Sequence, residues 1–326
     1  MKKIAWGVVS TGNIANQFAE GLSRAENCEI RAVCSRDLVR ARKFARKHSI
    51  PYYFDSIQEM VETAALDIVY VGTPNDCHLD NVTRMIDMGM NILCEKPLGR
   101  NYEEAKQIVD HARNANVFLM EGMWTRFFPA HTQAMKWLSE GEIGRPKVLY
   151  ANFGYDGSSI SDTWRFDQSS GGGALLDVGI YPLAFAFAVF GADYQAITGA
   201  AKIRNGIDEY NAFILKYSDE GIALLSSSIN TLMSNQAVIE GEKGRIIIHD
   251  NWWRPVKCEL IHSSGDFFEY KSKATLFSHE YESTGFQFEA MAVNECLRLG
   301  RKESRIMPLQ ETLQIAKAMD RLRNQW

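Results

Sequence analysis

Four consecutive residues, Cys94-Glu95-Lys96-Pro97, place an ammonium group beside a carboxylate and a proline. They end the short apolar run 91–94, which is typical of a buried strand. Proline cannot continue a central strand, so the chain must turn here, and we expect a cis Lys96–Pro97 bond in so tight a turn. In open α/β sheets ligands bind beyond the carboxyl ends of the strands, which predicts a catalytic or substrate-orienting role for Lys96. The alternative is a surface turn with a solvated pair of Lys96 and Glu95, which these four residues alone favour.

A second candidate pair, Asp177 and Tyr181, lies in the apolar segment 171–190. The segment predicts a helix that is apolar on all faces and therefore buried. Asp177 is its only charged residue, and a lone buried carboxylate is costly unless it is paired or functional. Tyr181 follows four residues later, so both side chains emerge on one helical face. The alternative remains that Asp177 caps the helix after three glycines and Tyr181 packs in the core, with Pro182 kinking the helix or marking its start.

The start of the chain has the pattern of a dinucleotide-binding turn. A strand candidate (4–9), a turn of small residues (10–15) and a helix candidate (16–24) follow one another. Gly12 would let the backbone approach a pyrophosphate at the helix N-terminus. The residues expected to line this site are Ser10, Gly12, Asn13 and Ile14. Because serine replaces the usual first glycine, an ordinary strand-to-helix turn is about as compatible with these residues.

The end of the second predicted strand (29–34) bears on the choice of cofactor. The acidic residue that would hold a ribose 2′-hydroxyl is missing there, and Ser35 and Arg36 follow instead. A hydroxyl and a guanidinium suit a 2′-phosphate, so NADP is favoured and NAD is possible. Asp37 is expected to cap the next helix, and in the competing interpretation Arg36 is only solvated.

The elements that must position these residues alternate between strand and helix through residue 120, which predicts a doubly wound parallel sheet. Two more strand ends would then share one rim with the glycine turn. We expect this rim to contribute further cofactor contacts from Thr73, Pro74, Asn75, Glu95 and Lys96.

The pattern changes after residue 123. Residues 1–123 predict a dinucleotide-binding Rossmann domain, and residues 124–326 predict an α+β domain for substrate binding and dimerisation. Strand candidates with short turns follow residue 144, which indicates a large, mostly antiparallel open sheet. Two helices, 284–299 and 308–323, end the chain. The fold class is therefore α/β with a second, α+β domain.

Composition limits the classes of partner. With 326 residues, of which 46% are hydrophobic, the chain has room for two domains. A net charge of −4 disfavours nucleic acid and anionic membranes. The apolar segment 178–192 is shorter than the roughly 18 residues of a membrane span. Six cysteines without Cys-x-x-Cys spacing indicate a cytoplasmic protein, and seven scattered histidines predict no metal site.

Together these motifs resemble those of the Gfo/Idh/MocA oxidoreductase family. The matching stretches are 7–15, 73–75 and 95–97, with Asp177 and its partner four residues later. Tyr181, where many members have histidine, resembles the branch of dimeric dihydrodiol dehydrogenase and NADP-dependent D-xylose dehydrogenase. The implied fold is a Rossmann domain plus an α/β domain whose open sheet often packs against its mate in a homodimer.

The resemblance also implies a mechanism, in which hydride passes between the nicotinamide and a hydroxyl or carbonyl carbon. A sugar, polyol or diol would lie between the nicotinamide and the buried helix. Tyr181 would be the general acid/base, and Lys96 would favour its phenolate and hydrogen-bond the reacting oxygen. Asp177 would orient Lys96 or a second substrate hydroxyl. Trp164 and Arg165 are expected to contact cofactor or substrate, with core packing of Trp164 as the alternative.

Two other functions fit the same fold, because fold alone does not define chemistry. One is a non-catalytic NADP-sensing regulator or binding protein, which would not need the set Lys96, Asp177 and Tyr181. The other is a nicotinamide-dependent glycoside hydrolase, against which Tyr181 and the lack of a signal-peptide pattern weigh mildly.

Overall fold

The structure is a computed structural model that describes residues 3–157, 163–264 and 271–326, so residues 1–2 of the predicted first domain lie outside it. The chain forms two compact units. The first contains Met1–Trp124 and Glu282–Leu313, and the second contains Thr125–Tyr281 and Gln314–Trp326.

The first unit is built on a six-stranded parallel sheet in the order β3-β2-β1-β4-β5-β6. Its strands are β1 (Ile4–Val9), β2 (Cys28–Cys34), β3 (Tyr52–Phe54), β4 (Ile68–Val71), β5 (Ile92–Glu95) and β6 (Leu119–Gly122). Its first five helices are α1 (Asn13–Leu22), α2 (Leu38–His48), α3 (Ile57–Thr63), α4 (His78–Asp87) and α5 (Tyr102–Ala115).

Every residue of β4 and β5 is buried, as expected for parallel strands with both faces covered. The strand order reverses between β1 and β4, which is where doubly wound sheets bind dinucleotides. The predicted parallel sheet is confirmed. The sequence pattern does not predict α3, nor does it predict β3, because a three-residue edge strand with two exposed tyrosines carries almost no hydrophobic pattern.

The second unit contains an eight-stranded sheet in the order β14-β13-β12-β11-β7-β10-β9-β8. Its strands are β7 (Pro146–Gly154), β8 (Tyr194–Arg204), β9 (Ile207–Tyr217), β10 (Ile222–Ser228), β11 (Ala237–Gly241), β12 (Gly244–Ile248), β13 (Lys257–Ser264) and β14 (Lys271–Ser278). Strands β7 and β10 pair in parallel and the other described pairs are antiparallel, which confirms the mostly antiparallel sheet. The sequence pattern does not predict β14, one of the two edge strands.

One face of this sheet is covered and the other is open. Helix α6 (Pro129–Ser139) packs on β12 and β13, and α7 (Ile180–Phe190) packs on β7 and β10. Along β9 the alternation is clear, since Phe213 is 1% exposed and its neighbour Ile214 is 43% exposed. The covered face therefore holds the core of the second unit.

Helix α8 (Phe286–Arg298) corrects the predicted extent of the second domain. The sequence prediction places it after the large sheet, but it packs on α1 and belongs to the first unit. The Phe286 ring lies 5.7 Å from that of Phe18, and the Trp6 indole N–H donates to Asn294 Oδ1 at 3.0 Å. The buried contacts of α8 with the first unit therefore decide where it packs, although α8 follows the large sheet in the sequence. Helix α9 (Leu309–Arg323) ends the fold, and its residues are divided between the two units.

The helical stretch Gln168–Phe190 is long and apolar enough, by length and composition alone, to cross a membrane. It starts earlier than the segment 178–192 considered in the sequence, because a 3-10 turn and a π-helical turn precede α7. Most of it is buried inside the protein, as is usual for a core helix.

Candidate functional site

The turn between β1 and α1 has an open helix N-terminus. Gly12 is the N-cap of α1 and no side chain accepts from the first helical N–H groups, so they can bind an anion. Ser10 has a φ of 132°, a backbone conformation that glycine adopts readily and other residues rarely do. Its hydroxyl accepts from the Gly12 N–H at 3.1 Å. Ser10 thus adopts the backbone conformation that is expected of the usual glycine at this position.

Ser35 and Arg36 lie at the carboxyl end of β2. The Ser35 hydroxyl accepts from Thr11 Oγ1 at 3.4 Å, and Arg36 is exposed. Asp37 caps α2 by accepting from the Val39 and Arg40 N–H groups, which confirms the predicted cap. Burial and the neighbouring Asp76 raise the pKa of the Cys77 thiol in the loop after β4, and the charge of Arg36 opposes that rise.

His78, the first residue of α4, joins two loops of this rim. The residue is fully buried, and its Nδ1 lies 2.9 Å from the Pro97 carbonyl and its Nε2 2.9 Å from the Thr73 carbonyl. Burial lowers the pKa of His78, and both carbonyls oppose this shift. A carbonyl only accepts, so the imidazolium form alone makes both hydrogen bonds. The sequence alone does not indicate His78, because a histidine early in a helix is more often a polar surface residue.

The loop that carries Lys96 is tightly held within the first unit. The Lys96–Pro97 bond is cis, as expected. Glu121 of β6 accepts from the Leu98 N–H at 2.9 Å, and the Tyr70 hydroxyl donates to Glu95 at 2.8 Å. Glu95 is only 6% exposed, and burial raises its pKa while the charge of Lys96 lowers it. The solvated Lys96–Glu95 pair is therefore wrong, since the carboxylate is part of the core.

The structure brings eleven of the predicted cofactor residues to one edge of the parallel sheet. They lie at or just after the carboxyl ends of the neighbouring strands β2, β1, β4 and β5. They are Ser10, Gly12, Asn13, Ile14, Ser35, Arg36, Thr73, Pro74, Asn75, Glu95 and Lys96.

In the second unit, Asp177 lies inside a π-helical turn, Leu175–Gly179, that leads into α7. Such turns are rare and occur often at functional sites. The turn also suits Pro182, which has no N–H for a regular helical hydrogen bond. Asp177 is not the helix cap, because the helical turn has already begun at Ala174 and the Leu175 N–H donates to Asp208 instead. The capping alternative is therefore wrong.

The Asp177 carboxylate is 6% exposed and has a phenol and a guanidinium as partners. The Tyr155 hydroxyl donates to its Oδ2 at 2.5 Å, and Arg165 Nε donates to the same oxygen at 3.2 Å. Burial and the Asp177 charge raise the pKa of Tyr155 well above its ordinary value, so it remains a donor. The sequence alone does not indicate Tyr155, whose only signal is its place just beyond β7.

Two sets of aromatic rings lie on the second unit: one contains Tyr181, and the other stacks on Arg165, the partner of Asp177. Tyr181 is 7% exposed, and its ring centroid lies 5.4 Å from that of Phe153. Phe153 stacks on Trp253 at 3.6 Å. The Arg165 guanidinium lies 4.6 Å above the centroid of Trp164, which is half-buried. The second unit thus presents a phenol, a paired carboxylate and an apolar aromatic wall.

Lys96 belongs to the first unit, and Asp177 and Tyr181 belong to the second. The predicted support of Tyr181 by Lys96 therefore stays a prediction. Within residues 3–157, 163–264 and 271–326, no cluster of three or more histidine, cysteine or acidic side chains could hold a metal ion.

Two family models match the chain. Residues 4–123 match the one described as "Oxidoreductase family, NAD-binding Rossmann fold", and residues 131–247 match the "GFO/IDH/MocA C-terminal domain". A similar protein, trans-1,2-dihydrobenzene-1,2-diol dehydrogenase of Xenopus tropicalis, is 37% identical over 320 residues, which are 97% of this chain and 96% of that protein.

Solved structures of known enzymes share the fold. KijD10, a 3-ketoreductase from Actinomadura kijaniata in complex with NADP and TDP-benzene, matches with a TM-score of 0.84 and 23% identity over 99% of this chain and 98% of that one. Levoglucosan dehydrogenase, in complex with NADH and levoglucosan, has a TM-score of 0.89 and 18% identity over 99% and 97% of the two chains. At these identities the likeness concerns the fold alone.

Proposed function

The chain belongs to the Gfo/Idh/MocA oxidoreductase family, and on that premise we propose that it is an NADP-dependent dehydrogenase of cyclic diols or sugars. The observation that carries this proposal is the Asp177–Tyr181 segment. It holds a buried carboxylate, paired with Tyr155 and Arg165, four residues before a buried tyrosine. A protein that only senses NADP would not need such a group, because an unused buried carboxylate lowers stability.

The first unit has the features that a dinucleotide requires. The uncapped N-terminus of α1 suits a pyrophosphate, and the exposed guanidinium of Arg36 suits a 2′-phosphate. Asp37 caps α2 through its Oδ1, and the acidic residue that is typical of NAD enzymes does not stand at the end of β2 itself, where Cys34, Ser35 and Arg36 follow one another. These features support NADP as the preferred cofactor, which when bound supplies the hydride acceptor or donor.

We assign proton transfer to Tyr181. In the oxidative direction it takes the proton of the substrate hydroxyl as the hydride leaves the same carbon, and in the reductive direction it returns that proton. Lys96 is proposed to hydrogen-bond the reacting oxygen and to favour the phenolate form of Tyr181. Asp177, fixed by Tyr155 and Arg165, is proposed to orient a second substrate hydroxyl. Arg165 and Trp164 are proposed to contact cofactor or substrate.

The aromatic side chains beside Tyr181 support the proposed substrate class. Phe153 and Trp253 form a stacked apolar surface next to Tyr181. A ring with one apolar face and neighbouring hydroxyl groups complements this arrangement. The Xenopus tropicalis relative, named for a cyclic trans-diol, supports the same class.

A substrate panel tests the proposal. Purified protein is assayed with trans-dihydrodiols, D-xylose, D-glucose and inositol, with NADP or NAD, by NADPH or NADH absorbance. We expect turnover of at least one diol or sugar with NADP. Tyr181→Phe should abolish that turnover and still bind NADP, whereas Tyr210→Phe on the open sheet face should be silent. Sugar release from a glycoside without net NADPH would instead identify a glycoside hydrolase, and NADP binding without turnover of any compound would favour the sensor.

We also propose a homodimer formed through the open face of the large sheet. Apolar side chains lie side by side there, since Leu224 is paired with Tyr150 on one side and Ile214 on the other. These three are 37%, 47% and 43% exposed. A continuous apolar surface of this kind suits a partner with the same surface, as a two-fold axis provides.

A cytoplasmic location is proposed from the cysteines. All six are free, and four of them are buried. Free thiols are usual in reducing compartments. Fractionation of cells that express the protein tests this location, and recovery in an oxidising compartment would contradict it.

A further inference from the structure

Three buried polar side chains on β9 and β10 form a chain of hydrogen bonds that ends at the π-helical turn. The Ser227 hydroxyl donates to Asn211 Oδ1 at 2.9 Å, and Asn211 Nδ2 donates to Asp208 Oδ2 at 2.6 Å. The same Asp208 oxygen accepts from the Leu175 N–H at 2.7 Å. Their exposed fractions are 0%, 3% and 6%, so no solvent competes for these bonds.

A β-bulge places two of these side chains on the same face. Along a regular strand, residues three apart point to opposite faces of the sheet. The register of β8 against β9 shifts here, because Ile203 pairs with Asp208 while Lys202 pairs with Tyr210. The extra residue restores the common direction of Asp208 and Asn211 towards the core.

Two glycines show how closely this chain fits the turn. A Cβ on Gly173, which has a φ of +113°, would overlap Asp208 Oδ1. A Cβ on Gly179 would lie 2.6 Å from the Ser227 hydroxyl oxygen. The polar chain therefore touches the backbone just before the turn and at its last residue, and Asp177 lies between these two contacts.

We propose that Asp208, Asn211 and Ser227 are positioning residues that clamp both ends of the π-helical turn and so hold Asp177 in its reactive orientation. The catalytic part of this inference rests on the proposed function of Asp177. The clamp itself rests only on the hydrogen bonds and close contacts of the second unit.

The charge of Asp208 contributes to the clamp. A carboxylate at the start of a helical turn is favourable, and bonds to a charged acceptor are stronger than neutral ones. Burial raises the pKa of Asp208 to about 6, although Asn211, the Leu175 N–H and the charge of Arg323 on α9 oppose the rise. Asp208 is thus mostly charged at pH values well above 6, and the clamp weakens when Asp208 takes up a proton.

Asp208→Ala and Asp208→Asn test the clamp in the full-length protein. Asp208→Ala removes the acceptor, and we expect faster hydrogen exchange in peptides that cover the turn. We expect kcat to fall about tenfold, because small misplacements of catalytic groups are costly. NADP affinity should change less than twofold. Asp208→Asn keeps an acceptor oxygen without titrating, so exchange and kcat at pH 8 should be partly restored, and the loss of activity below about pH 6 should disappear.

Asp219→Asn, an exposed carboxylate at the turn after β9, is the matched control and should match the wild type in every assay. Unchanged hydrogen exchange at the turn in Asp208→Ala would overturn the clamp. An unaltered loss of activity below about pH 6 in Asp208→Asn would overturn it as well. Faster exchange with unchanged kcat would support the clamp and contradict the proposed role of Asp177 instead.

Discussion

The Tyr155 hydroxyl donates a 2.5 Å hydrogen bond to the buried carboxylate of Asp177, across 22 positions of sequence. Because burial and this carboxylate raise the pKa of Tyr155 well above its ordinary value, the phenol stays protonated through neutral pH. The donated bond satisfies one oxygen of a carboxylate that water barely reaches, and so offsets part of the cost of burying it. Tyr155 thereby makes a buried charge tolerable and orients it.

Tyr155→Phe should therefore lower kcat about tenfold, since a hydrogen bond to a charged group contributes about 1.5–3 kcal/mol. Binding of NADP, followed by quenching of tryptophan fluorescence, should not change. Tyr150→Phe, an exposed tyrosine on β7, provides the control. A full kcat in Tyr155→Phe would remove Tyr155 from the site.

Arg36→Ala should separate the two cofactors. Loss of a guanidinium that binds a 2′-phosphate should raise the KM for NADP roughly 10- to 100-fold and leave the KM for NAD within about twofold. Steady-state kinetics with both cofactors measures this. Arg40→Ala, which removes an exposed guanidinium near Asp37, is the matched control. An equal loss for both cofactors would refute the 2′-phosphate role.

Glu289→Gln should stabilise the protein at neutral and alkaline pH. Glu289 on α8 is 0% exposed, and neither carboxyl oxygen has a hydrogen-bond partner among the described residues. Burial raises its pKa well above the ordinary value, and the charge of Glu95 adds to the rise. The folded state thus binds a proton that the unfolded state has released above about pH 4.3. Stability therefore falls as the pH rises from that value towards the folded pKa.

Glutamine avoids this loss, because it does not titrate. The advantage of Glu289→Gln should be absent near pH 4 and grow by about 1.4 kcal/mol per pH unit above pH 5, up to the folded pKa. Urea unfolding between pH 5 and pH 8 measures it. Glu295→Gln, an exposed site on the same helix, should show no such trend. A pH-independent difference for Glu289→Gln would mean that the carboxyl is ionised in the folded state.

Leu224→Glu tests the proposed dimer. A charge between Tyr150 and Ile214, in the apolar row on the open sheet face, should reduce the mass measured by light scattering from that of a dimer to that of a monomer. Leu232→Glu, at a residue that is 73% exposed and outside that row, should leave the mass unchanged. A monomeric wild-type protein at micromolar concentration would contradict the proposal.

Local patterns were enough to predict most elements and the family. The apolar runs of β1, β4 and β5, each followed by a glycine- or proline-containing turn, indicate strands that end at a common rim. Because strands that alternate with helices form a parallel sheet, their carboxyl ends lie at the same edge. The position of Lys96 and Arg36 at that edge therefore follows from the sequence. The cap of α2 by Asp37 is equally local.

Partners distant in sequence could not be predicted in this way. Asp177 is indicated by its lone charge, but its partners Tyr155 and Arg165 lie 22 and 12 positions away. Nothing in the local pattern around His78 predicts that its two ring nitrogens lie 2.9 Å from the carbonyls of two loops. The same holds for Glu289, which interacts electrostatically with Glu95 only because α8 returns to the first unit.

The sequence by itself therefore determined the α/β class and the family and nominated the candidate site residues, because periodicity, turn residues and motifs act over a few positions. The tertiary structure alone decided which unit α8 joins, that Glu95 is buried, and that Asp177 lies in a π-helical turn held by Asp208. Those outcomes depend on burial and hydrogen bonds between segments that topology brings together. The turn at Lys96-Pro97 was predictable from the sequence. Only the fold shows that Glu121 and His78 contact the backbone after Lys96 and that Tyr70 bonds to the Glu95 carboxylate.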